Sequence, residues 1–236
     1  MKKVILTGAN GFVGHHVLEH FLKNTDWEIY CIDKLSYASS GHDRIRDIKA
    51  FDDKRVKIFT TDLCMPFPEG LKQELGDISY IFHLAAESHV DNSISDPVPF
   101  VQNNVNSTLY LLEYARGLNY LEKFVYFSTA LKGESVTIHS NAAKTKAGSR
   151  YYIHARNVAD GLLYIINNVD SQLDNYNSEI GRFNIVGEIE MDNLELAQAI
   201  AKAVGKELKY EMVDFHSSRP GHDLRYALNG DKMKLL

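Results

Sequence analysis

The chain has 236 residues, of which 44% are hydrophobic and 24% charged, and its formal net charge is −5. This composition is that of a globular protein with one large domain, or one large domain and a small appendage. The acidic balance gives no electrostatic basis for nucleic-acid binding, and no apolar run approaches the roughly 18 residues of a membrane span. We therefore expect neither nucleic acid nor a membrane as a partner.

The cysteine content points to a reducing compartment. Cys31 and Cys64 lie in or just after strand-like segments and fit no metal-ligand spacing. We expect free buried thiols, no metal site and a cytoplasmic protein. The N-terminus runs straight into a strand-like segment without a cleavage pattern, so no signal peptide is predicted.

Strand-like and helix-like segments alternate through the first half of the chain. Apolar runs predict strands at 4–6, 28–32, 56–59, 79–84 and 124–127. Helical periodicity predicts helices at 12–22 and 97–115, the second with its prolines in the first turn. A βαβ series of this kind predicts an α/β fold with a Rossmann-like, doubly wound parallel sheet.

The alternation is looser in the second half. Helices are predicted at 152–166 and 192–204, the latter with Asp192 as N-cap and Glu195 three residues on. Strands are predicted at 182–186 and 209–213, and residues 139–149 are the most loop-like stretch.

A glycine-rich turn lies where the first strand meets the first helix. Glycines in "TGANGFVGHH" recur at G-x-x-G-x-x-G spacing, which permits a tight turn, close approach of a pyrophosphate and packing of helix on strand. A glycine-rich turn without a ligand is the alternative. The predicted cofactor-binding residues of this stretch are Gly8, Asn10, Gly11, Phe12, Val13 and Gly14.

Acidic residues end the second and third predicted strands. Asp33 can accept hydrogen bonds from ribose hydroxyls and would repel a 2′-phosphate, which favours NAD over NADP. Lys34 follows it, and Asp62 with Leu63 could meet the adenine side of the same cofactor. The alternative for both carboxylates is a turn or cap role.

The fourth and fifth strands are followed by further candidate residues. Small side chains in "FHLAAESHVDNSI" would let a flat dinucleotide lie close to the backbone. The polar side chains that follow would then line the ligand crevice at the end of the strand. A surface loop has a similar composition and is the alternative. The candidates are Leu84, Ala85, Ala86, Glu87 and Ser88 after the fourth strand, and Ser128 and Thr129 after the fifth. His89 alone is more typical of a hydrogen-bonded structural histidine.

The stretch "SSRPGHDLRYAL" places Arg219, His222 and Arg225 around a Pro-Gly turn. Arginine matches phosphate oxygens through bidentate hydrogen bonds, so one interpretation is a diphosphate-bearing ligand. The alternative interpretation is a solvated charged loop without a ligand.

These motifs together resemble the extended short-chain dehydrogenase/reductase family, and within it the dTDP-glucose 4,6-dehydratases. The stretches "TGANGFVG", "IDKLSYAS", "HLAAESHVDNSI", "RYYIHARNVADGLL" and "RPGHDLRYAL" follow in the expected order over most of the chain. The resemblance implies bound NAD, oxidation of a nucleotide-activated hexose at C4, elimination of water across C5 and C6, and return of the hydride to C6. It also implies substrate contacts by Glu87, Ser88, Arg150, Asn184, Arg219 and His222.

The chain departs from the family where the chemistry is expected. The family carries Thr-Asp-Glu after the fifth strand, with Asp as acid and Glu as base, and a Tyr-x-x-x-Lys pair on the next helix. Thr129 matches the threonine, but Ala130 and Leu131 follow it, and an internal segment including the Tyr-x-x-x-Lys helix is missing. Tyr30 and Lys34 have the same spacing, and Tyr152 is followed at that spacing by Arg156 instead of a lysine. Neither pair replaces the missing Tyr-x-x-x-Lys pair.

Three hypotheses follow for function. The chain is an NAD-dependent nucleotide-sugar dehydratase, or a catalytically impaired NAD- and nucleotide-sugar-binding module, or a protein that needs a partner chain to supply the missing helix. We expect residues 1–130 to form the NAD-binding core. Residues 131–236 would hold a shortened crossover, the last sheet strand and a small nucleotide-sugar-binding region. The resemblance also implies that the usual dimer interface is lost.

Overall fold

The computed structural model describes residues 1–127, 137–169, 181–203, 205, 207–214 and 224–236. The chain divides into two compact units. The first comprises Met1–Lys132 with Ala155–Asn175, and the second comprises Gly133–His154 with Tyr176–Leu236. The predicted functional division at residue 130 stays a prediction. No helix in the described ranges has the length and apolar character needed to cross a membrane.

A parallel sheet forms the centre of the first unit. Its strands within the described residues are β1 (Lys3–Thr7), β2 (Glu28–Asp33), β3 (Val56–Thr60), β4 (Tyr80–His83) and β5 (Lys123–Tyr126). They pair in the order β3-β2-β1-β4-β5, and every pair is parallel. The predicted Rossmann-like fold is confirmed, because the direction of winding reverses between β1 and β4.

The helices of the first unit lie between these strands in the chain, except the last one, which follows β5. They are α1 (Phe12–Asn24), α2 (Asp43–Asp47), α3 (Glu69–Leu75), α4 (Val90–Ser95), α5 (Val98–Val101), α6 (Ser107–Arg116) and α7 (Ala155–Asn168). A π turn, Gln102–Asn106, joins α5 to α6, so the long helix predicted at 97–115 exists but is not α-helical throughout. The helices predicted at 12–22 and 152–166 are confirmed.

The sheet is covered on both faces, which explains why its central strands are continuous apolar runs. On one face the Phe21 ring of α1 packs against the rings of Phe82 in β4 and of Trp27, with centroid separations of 4.8 and 5.2 Å. On the other face Ile5 and Leu111 belong to one buried cluster with the side chains of α3.

Helix α7 belongs to the first unit although it follows 22 residues of the second. It packs on α1, where Arg156 Nε lies 3.8 Å from a Glu19 carboxylate oxygen. Lys123 Nζ of β5 donates to the carbonyl oxygens of Ile166 and Val169, at 2.7 and 2.6 Å. A lysine at these carbonyls satisfies the C-terminal acceptors of the helix and complements its dipole.

The second unit contains smaller sheets. Its described strands are β6 (Thr137–Ser140), β7 (Ser149–Tyr151), β8 (Glu190–Asp192), β9 (Glu211–Asp214) and β10 (Arg225–Tyr226), with helix α8 (Asn193–Ala203) and a 3₁₀ helix at Asp231–Leu235. The sheets have the orders β10-β7-β8 and β6-β9. The strand predicted at 209–213 is thus found as β9.

The strand predicted at 182–186 is wrong. The structure shows irregular backbone there, and β5 is the edge strand of the described part of the main sheet. The segment makes side-chain hydrogen bonds in place of a strand ladder: Lys232 Nζ donates to the Arg182 carbonyl oxygen at 2.8 Å, and the Asn184 side chain donates through Nδ2 to the Asn229 carbonyl oxygen at 2.8 Å. Apolar content alone cannot distinguish such a segment from a strand.

The N-terminus of α8 has the predicted capping box. Asp192 Oδ1 accepts the backbone N–H groups of Leu194 and Glu195 at 2.8 Å, and Glu195 Oε2 accepts the N–H of Asp192 at 2.8 Å. These reciprocal bonds satisfy donors that a helix N-terminus otherwise leaves open.

We predict that Asp192→Ala lowers the free energy of unfolding of the second unit by about 1 kcal/mol, the usual cost of losing an N-cap. Urea denaturation followed by circular dichroism measures the change. Gln198→Ala, an exposed substitution in the same helix, is the control and should change stability by less than about 0.5 kcal/mol. Equal stability of Asp192→Ala and the unmutated protein would contradict the capping role.

Candidate functional site

The turn after β1 touches the segment after β4. Gly8 has φ of +70°, and a Cβ on it would lie 2.8 Å from the Ala85 nitrogen. Thr7 Oγ1 accepts the N–H groups of Leu84 and Ala85 at 3.1 Å each. A glycine is required at position 8 both by its left-handed backbone and by this contact. The two chain segments therefore form the base of a crevice at the carboxyl edge of the sheet.

Helix α1 begins at this crevice. A Cβ on Gly14 would lie 2.0 Å from the Gly8 carbonyl oxygen, so the helix packs directly on the turn. Gly11 is the N-cap, and no side chain forms a capping hydrogen bond there. The first N–H groups and the positive end of the helix dipole are therefore suited to an anion.

The carboxylate of Asp33 joins two loops at the end of β2. Oδ2 accepts the Asn10 N–H at 3.0 Å, and Oδ1 accepts the Leu35 N–H at 2.9 Å. Arg44 donates to the carbonyl oxygen of Asn10 at 2.8 Å, which fixes the glycine turn from its other side. Each carboxylate oxygen keeps a further lone pair, so Asp33 can still accept hydroxyl hydrogens from a ligand.

A chain of hydrogen bonds lies under the crevice. His83 Nδ1 is 2.8 Å from Thr7 Oγ1, and its Nε2 is 3.0 Å from Thr108 Oγ1. The Thr108 hydroxyl donates its single hydrogen to the Asn104 carbonyl oxygen at 2.7 Å. Nε2 of His83 therefore carries the ring proton, and Nδ1 accepts from Thr7. Burial lowers the pKa of His83 to about 4, so the ring is neutral near pH 7.

Charged side chains meet between the loop after β2 and the segment after β4. Lys34 Nζ donates to Asn103 Oδ1 at 2.7 Å and lies 3.7 Å from Glu87 Oε1. The Glu87 side chain is only 8% exposed. Asn104 exchanges two hydrogen bonds with the Glu87 backbone, at 2.7 and 3.0 Å. The π turn thereby holds the lysine and the carboxylate in place.

The end of β3 provides another carboxylate. The Cys64 N–H donates to Asp62 Oδ1 at 2.9 Å, and this hydrogen bond lowers the pKa of Asp62. Burial and then the neighbouring Asp62 raise the pKa of the Cys64 thiol, so it is a protonated donor and not a reactive thiolate. Cys64 is only half-buried because it lines this edge of the sheet, so the expectation of a buried free thiol is right for Cys31 and wrong for Cys64.

These features enclose a cleft of about 610 Å³, part of it open to solvent. Predicted cofactor and substrate residues that line it are Gly8, Gly11, Asp33, Lys34, Asp62, Leu63, Leu84, Ala85, Ala86 and Glu87. Lining residues that the sequence did not indicate are Ser36, Ala38, Ser39, Thr61, Cys64, Asn103 and Ser107. The one available signal for the last two was the polar run "QNNVNST" inside an otherwise amphipathic helix.

Other predicted residues lie elsewhere. Asn10, Phe12, Val13 and Gly14 belong to the glycine turn and to the first turn of α1, and Ser88 follows Glu87 in the chain; none of the five lines the cleft as described. Arg150 and Asn184 lie in the second unit. Ser128, Thr129, Arg219 and His222 fall outside the described residues.

Two arginines of the second unit have different surroundings. Arg225 forms a bidentate pair with Glu190, at 2.6 and 2.8 Å, and these bonds lower the pKa of Glu190 to about 2. Arg150 contacts the carbonyl oxygens of Ser149 and Leu224 and lies over the Tyr226 ring, 5.5 Å from its centroid. The charge of Arg225 is thus compensated within the protein by Glu190.

The chemistry available in the described residues is that of ligand binding. They contain no group of three or more His, Cys, Asp or Glu side chains suited to a metal ion. A glycine turn, an uncapped helix N-terminus and an acidic residue at the end of β2 are typical of α/β proteins that bind dinucleotides.

Comparison with known proteins makes the assignment specific. Residues 4–145 match the NAD dependent epimerase/dehydratase family, and the chain belongs to it. A dTDP-glucose 4,6-dehydratase of Escherichia coli is 26% identical over 313 aligned positions, covering 98% of this chain and 86% of the relative. The alignment is longer than the 236-residue chain, so the relative carries segments that this chain lacks.

Solved structures show the same fold. The UDP-glucuronic acid 4-epimerase of Bacillus cereus, in complex with UDP-glucuronic acid and NAD, superposes with a TM-score of 0.77 at 19% identity, covering 99% of this chain and 92% of that one. The DesIV double mutant, a dTDP-glucose 4,6-dehydratase from Streptomyces venezuelae with NAD bound, gives 0.76 at 21% identity, covering 100% and 90%.

We predict that protonation of His83 destabilises the protein in acid. Its pKa is about 4 when folded and near 6.5 when unfolded, so the unfolded chain takes up the proton first as the pH falls. The contribution of neutral, buried His83 to the free energy of unfolding is therefore complete above pH 6.5. It declines by about 3 kcal/mol as the pH falls towards 4.

Urea denaturation at pH 7.5 and pH 4.5 measures the effect. His83→Gln keeps a donor and an acceptor but does not titrate, so its stability should fall less between the two pH values than that of the unmutated protein. Parallel pH dependence of the two proteins would contradict the prediction.

Proposed function

We propose that this chain binds NAD and a nucleotide sugar of the dTDP-glucose type, as a member of the 4,6-dehydratase branch of its family. The observation that carries the proposal is the cleft at the carboxyl ends of β1 to β4, where the sheet order reverses and a glycine turn leads into α1. Ligands of doubly wound sheets bind at such a point.

The residues of the cleft fit an adenine dinucleotide. Gly8 and Gly14 leave no room for a Cβ, so the turn packs directly on the segment after β4 and the start of α1 packs directly on the turn. This places the helix N-terminus beside the turn, where a diphosphate would bind. The N-terminus of α1 has no side-chain cap, and Asp33 stands at the end of β2 to accept ribose hydroxyls. NAD supplies hydride-accepting chemistry when it is bound. The residues of this chain bind and orient it.

The nucleotide sugar is assigned from the relatives and from the arginines. The E. coli relative is a dTDP-glucose 4,6-dehydratase, and Arg150 together with Arg219 and His222 supplies groups suited to a diphosphate. Glu87, Ser88 and Thr129 are the proposed contacts to the sugar. Asn184 is proposed to lie with the arginines, toward the nucleotide diphosphate, and is carried over from the family resemblance.

A binding module with impaired catalysis is the second candidate, and one sequence observation favours it. Ala130 and Leu131 follow Thr129 where the family carries an acid and a base, and no Tyr-x-x-x-Lys helix follows. Loss of one acid–base group usually lowers a rate by about 10²–10⁴. We infer that unassisted dehydration by this chain is slow.

A single-turnover experiment separates the two candidates. Purified protein is reconstituted with NAD and mixed with dTDP-glucose, and bound NADH absorbance and 4-keto-6-deoxy product are followed. We expect NAD to bind and product to form far below the ordinary enzymatic range of about 1–10³ s⁻¹, because the acid–base residues are missing. Turnover within that range would contradict the second candidate.

Asp33 is expected to select the cofactor. Asp33→Ser removes a charged acceptor from the ribose and a negative charge that repels a 2′-phosphate, so the Kd for NAD should rise by about 10- to 100-fold and the preference over NADP should shrink. Isothermal titration calorimetry with both cofactors measures this. Asp52→Ser, at an exposed position away from the cleft lining, should leave both Kd values unchanged. An unchanged NAD-to-NADP ratio in Asp33→Ser would contradict the assignment.

A further inference from the structure

One corner of the cleft is built from two segments that are distant in the chain. We define the β3 corner as Asp62, Leu63 and Cys64 after β3, Asn103 in the π turn and Ser107 at the start of α6; all five line the cleft. The Cys64 thiol lies 3.4 Å from Asn103 Oδ1, within hydrogen-bond distance for sulfur. The thiol therefore fastens the π turn to the end of β3.

The hydroxyl of Ser107 has no partner in this corner. Ser107 is 4% exposed, and its Oγ is buried without a hydrogen bond to any described residue. A helical serine often donates to the carbonyl four residues earlier. For Ser107 that carbonyl belongs to Asn103, and it already accepts the backbone N–H of Ser107 and lies 3.9 Å from Cys64 Sγ.

The next residue in the helix, Thr108, has a hydroxyl that is hydrogen-bonded, unlike that of Ser107. Thr108 Oγ1 donates to the Asn104 carbonyl oxygen at 2.7 Å, so the same helix start satisfies one hydroxyl and leaves the other open. Buried polar groups in proteins are nearly always hydrogen-bonded, and an exception that faces a cleft points to a ligand.

We propose that Ser107 Oγ forms a hydrogen bond with the adenosine half of the bound dinucleotide. The inference rests on the proposed function. The glycine turn follows β1, Asp33 ends β2 and Asp62 follows β3, so a dinucleotide with its diphosphate on the turn and a ribose at Asp33 extends its adenine towards the β3 corner. Ser107 closes that corner on the helix side and contributes a hydroxyl that can donate and accept.

The test compares Ser107→Ala with Ser140→Ala. Ser140 is also buried, at 0% exposure, but it lies in the second unit and its hydroxyl donates to the Val213 carbonyl oxygen at 3.0 Å. Titration calorimetry with NAD and with ADP-ribose gives the Kd values, and a thermal melt without ligand gives the Tm.

We expect Ser107→Ala to raise the Kd of both NAD and ADP-ribose by about 2- to 12-fold, the range for one neutral hydrogen bond. The Tm of the ligand-free variant should be unchanged or higher, because an unpaired hydroxyl has been removed from a buried position. Ser140→Ala should lower the Tm, because it loses a satisfied bond, and should leave both Kd values unchanged.

The other outcomes each exclude something different. If the unmutated protein binds neither NAD nor ADP-ribose, the proposed function fails. If it binds both and Ser107→Ala binds them equally well, the role of Ser107 alone fails. A weaker Kd for NAD but not for ADP-ribose would overturn the assignment to the adenosine half. A lowered Tm in ligand-free Ser107→Ala would show that the hydroxyl is already paired within the protein.

Discussion

The structure of the first unit depends on the close approach of two backbone segments, the turn at Gly8 and the chain at Ala85. Any Cβ at position 8 would lie within 3 Å of three backbone atoms, and the Thr7 hydroxyl holds the same segment by two N–H groups. Because β1 and β4 are neighbours in the sheet, this contact sets the floor of the cleft. The glycine turn, the start of α1 and the buried His83 network are all positioned from it.

The walls of the cleft come from long-range polar contacts. Lys34 and Asn103 are 69 residues apart, and Cys64 and Asn103 are 39 apart, yet each pair is in hydrogen-bond contact. Asn103 is central to both because the π turn presents its side chain between the loops after β2 and β3. A π turn is uncommon and is often found at functional sites. Here it brings Asn103 into the cleft lining, and Ser107, whose hydroxyl is open, follows the turn directly.

The proposed cofactor-binding groups and the family's acid–base positions lie at different places in the chain. The groups suited to a dinucleotide lie on β1 to β4 and the helix ends beside them, whereas the acid–base residues of the family follow the fifth strand, where this chain has Ala130 and Leu131. The proposed binding groups lie on a sheet that α1, α3, α6 and α7 cover, and residues 130 and 131 belong to none of these elements. Cofactor binding without efficient dehydration is consistent with this division.

Local patterns in the sequence determined the βαβ order, the glycine turn, the acidic residue after β2 and the capping box of α8, because each is encoded within a few neighbouring residues. Tertiary structure decided the rest. Residues 182–186 look like a strand but have irregular backbone, tied to the chain near the C-terminus by hydrogen bonds with Lys232 and Asn229. Helix α7 joins the first unit through Glu19 and Lys123, and Asn103 and Ser107 reach the cleft through a π turn. These outcomes depend on contacts between residues far apart in the chain, and no local periodicity encodes them.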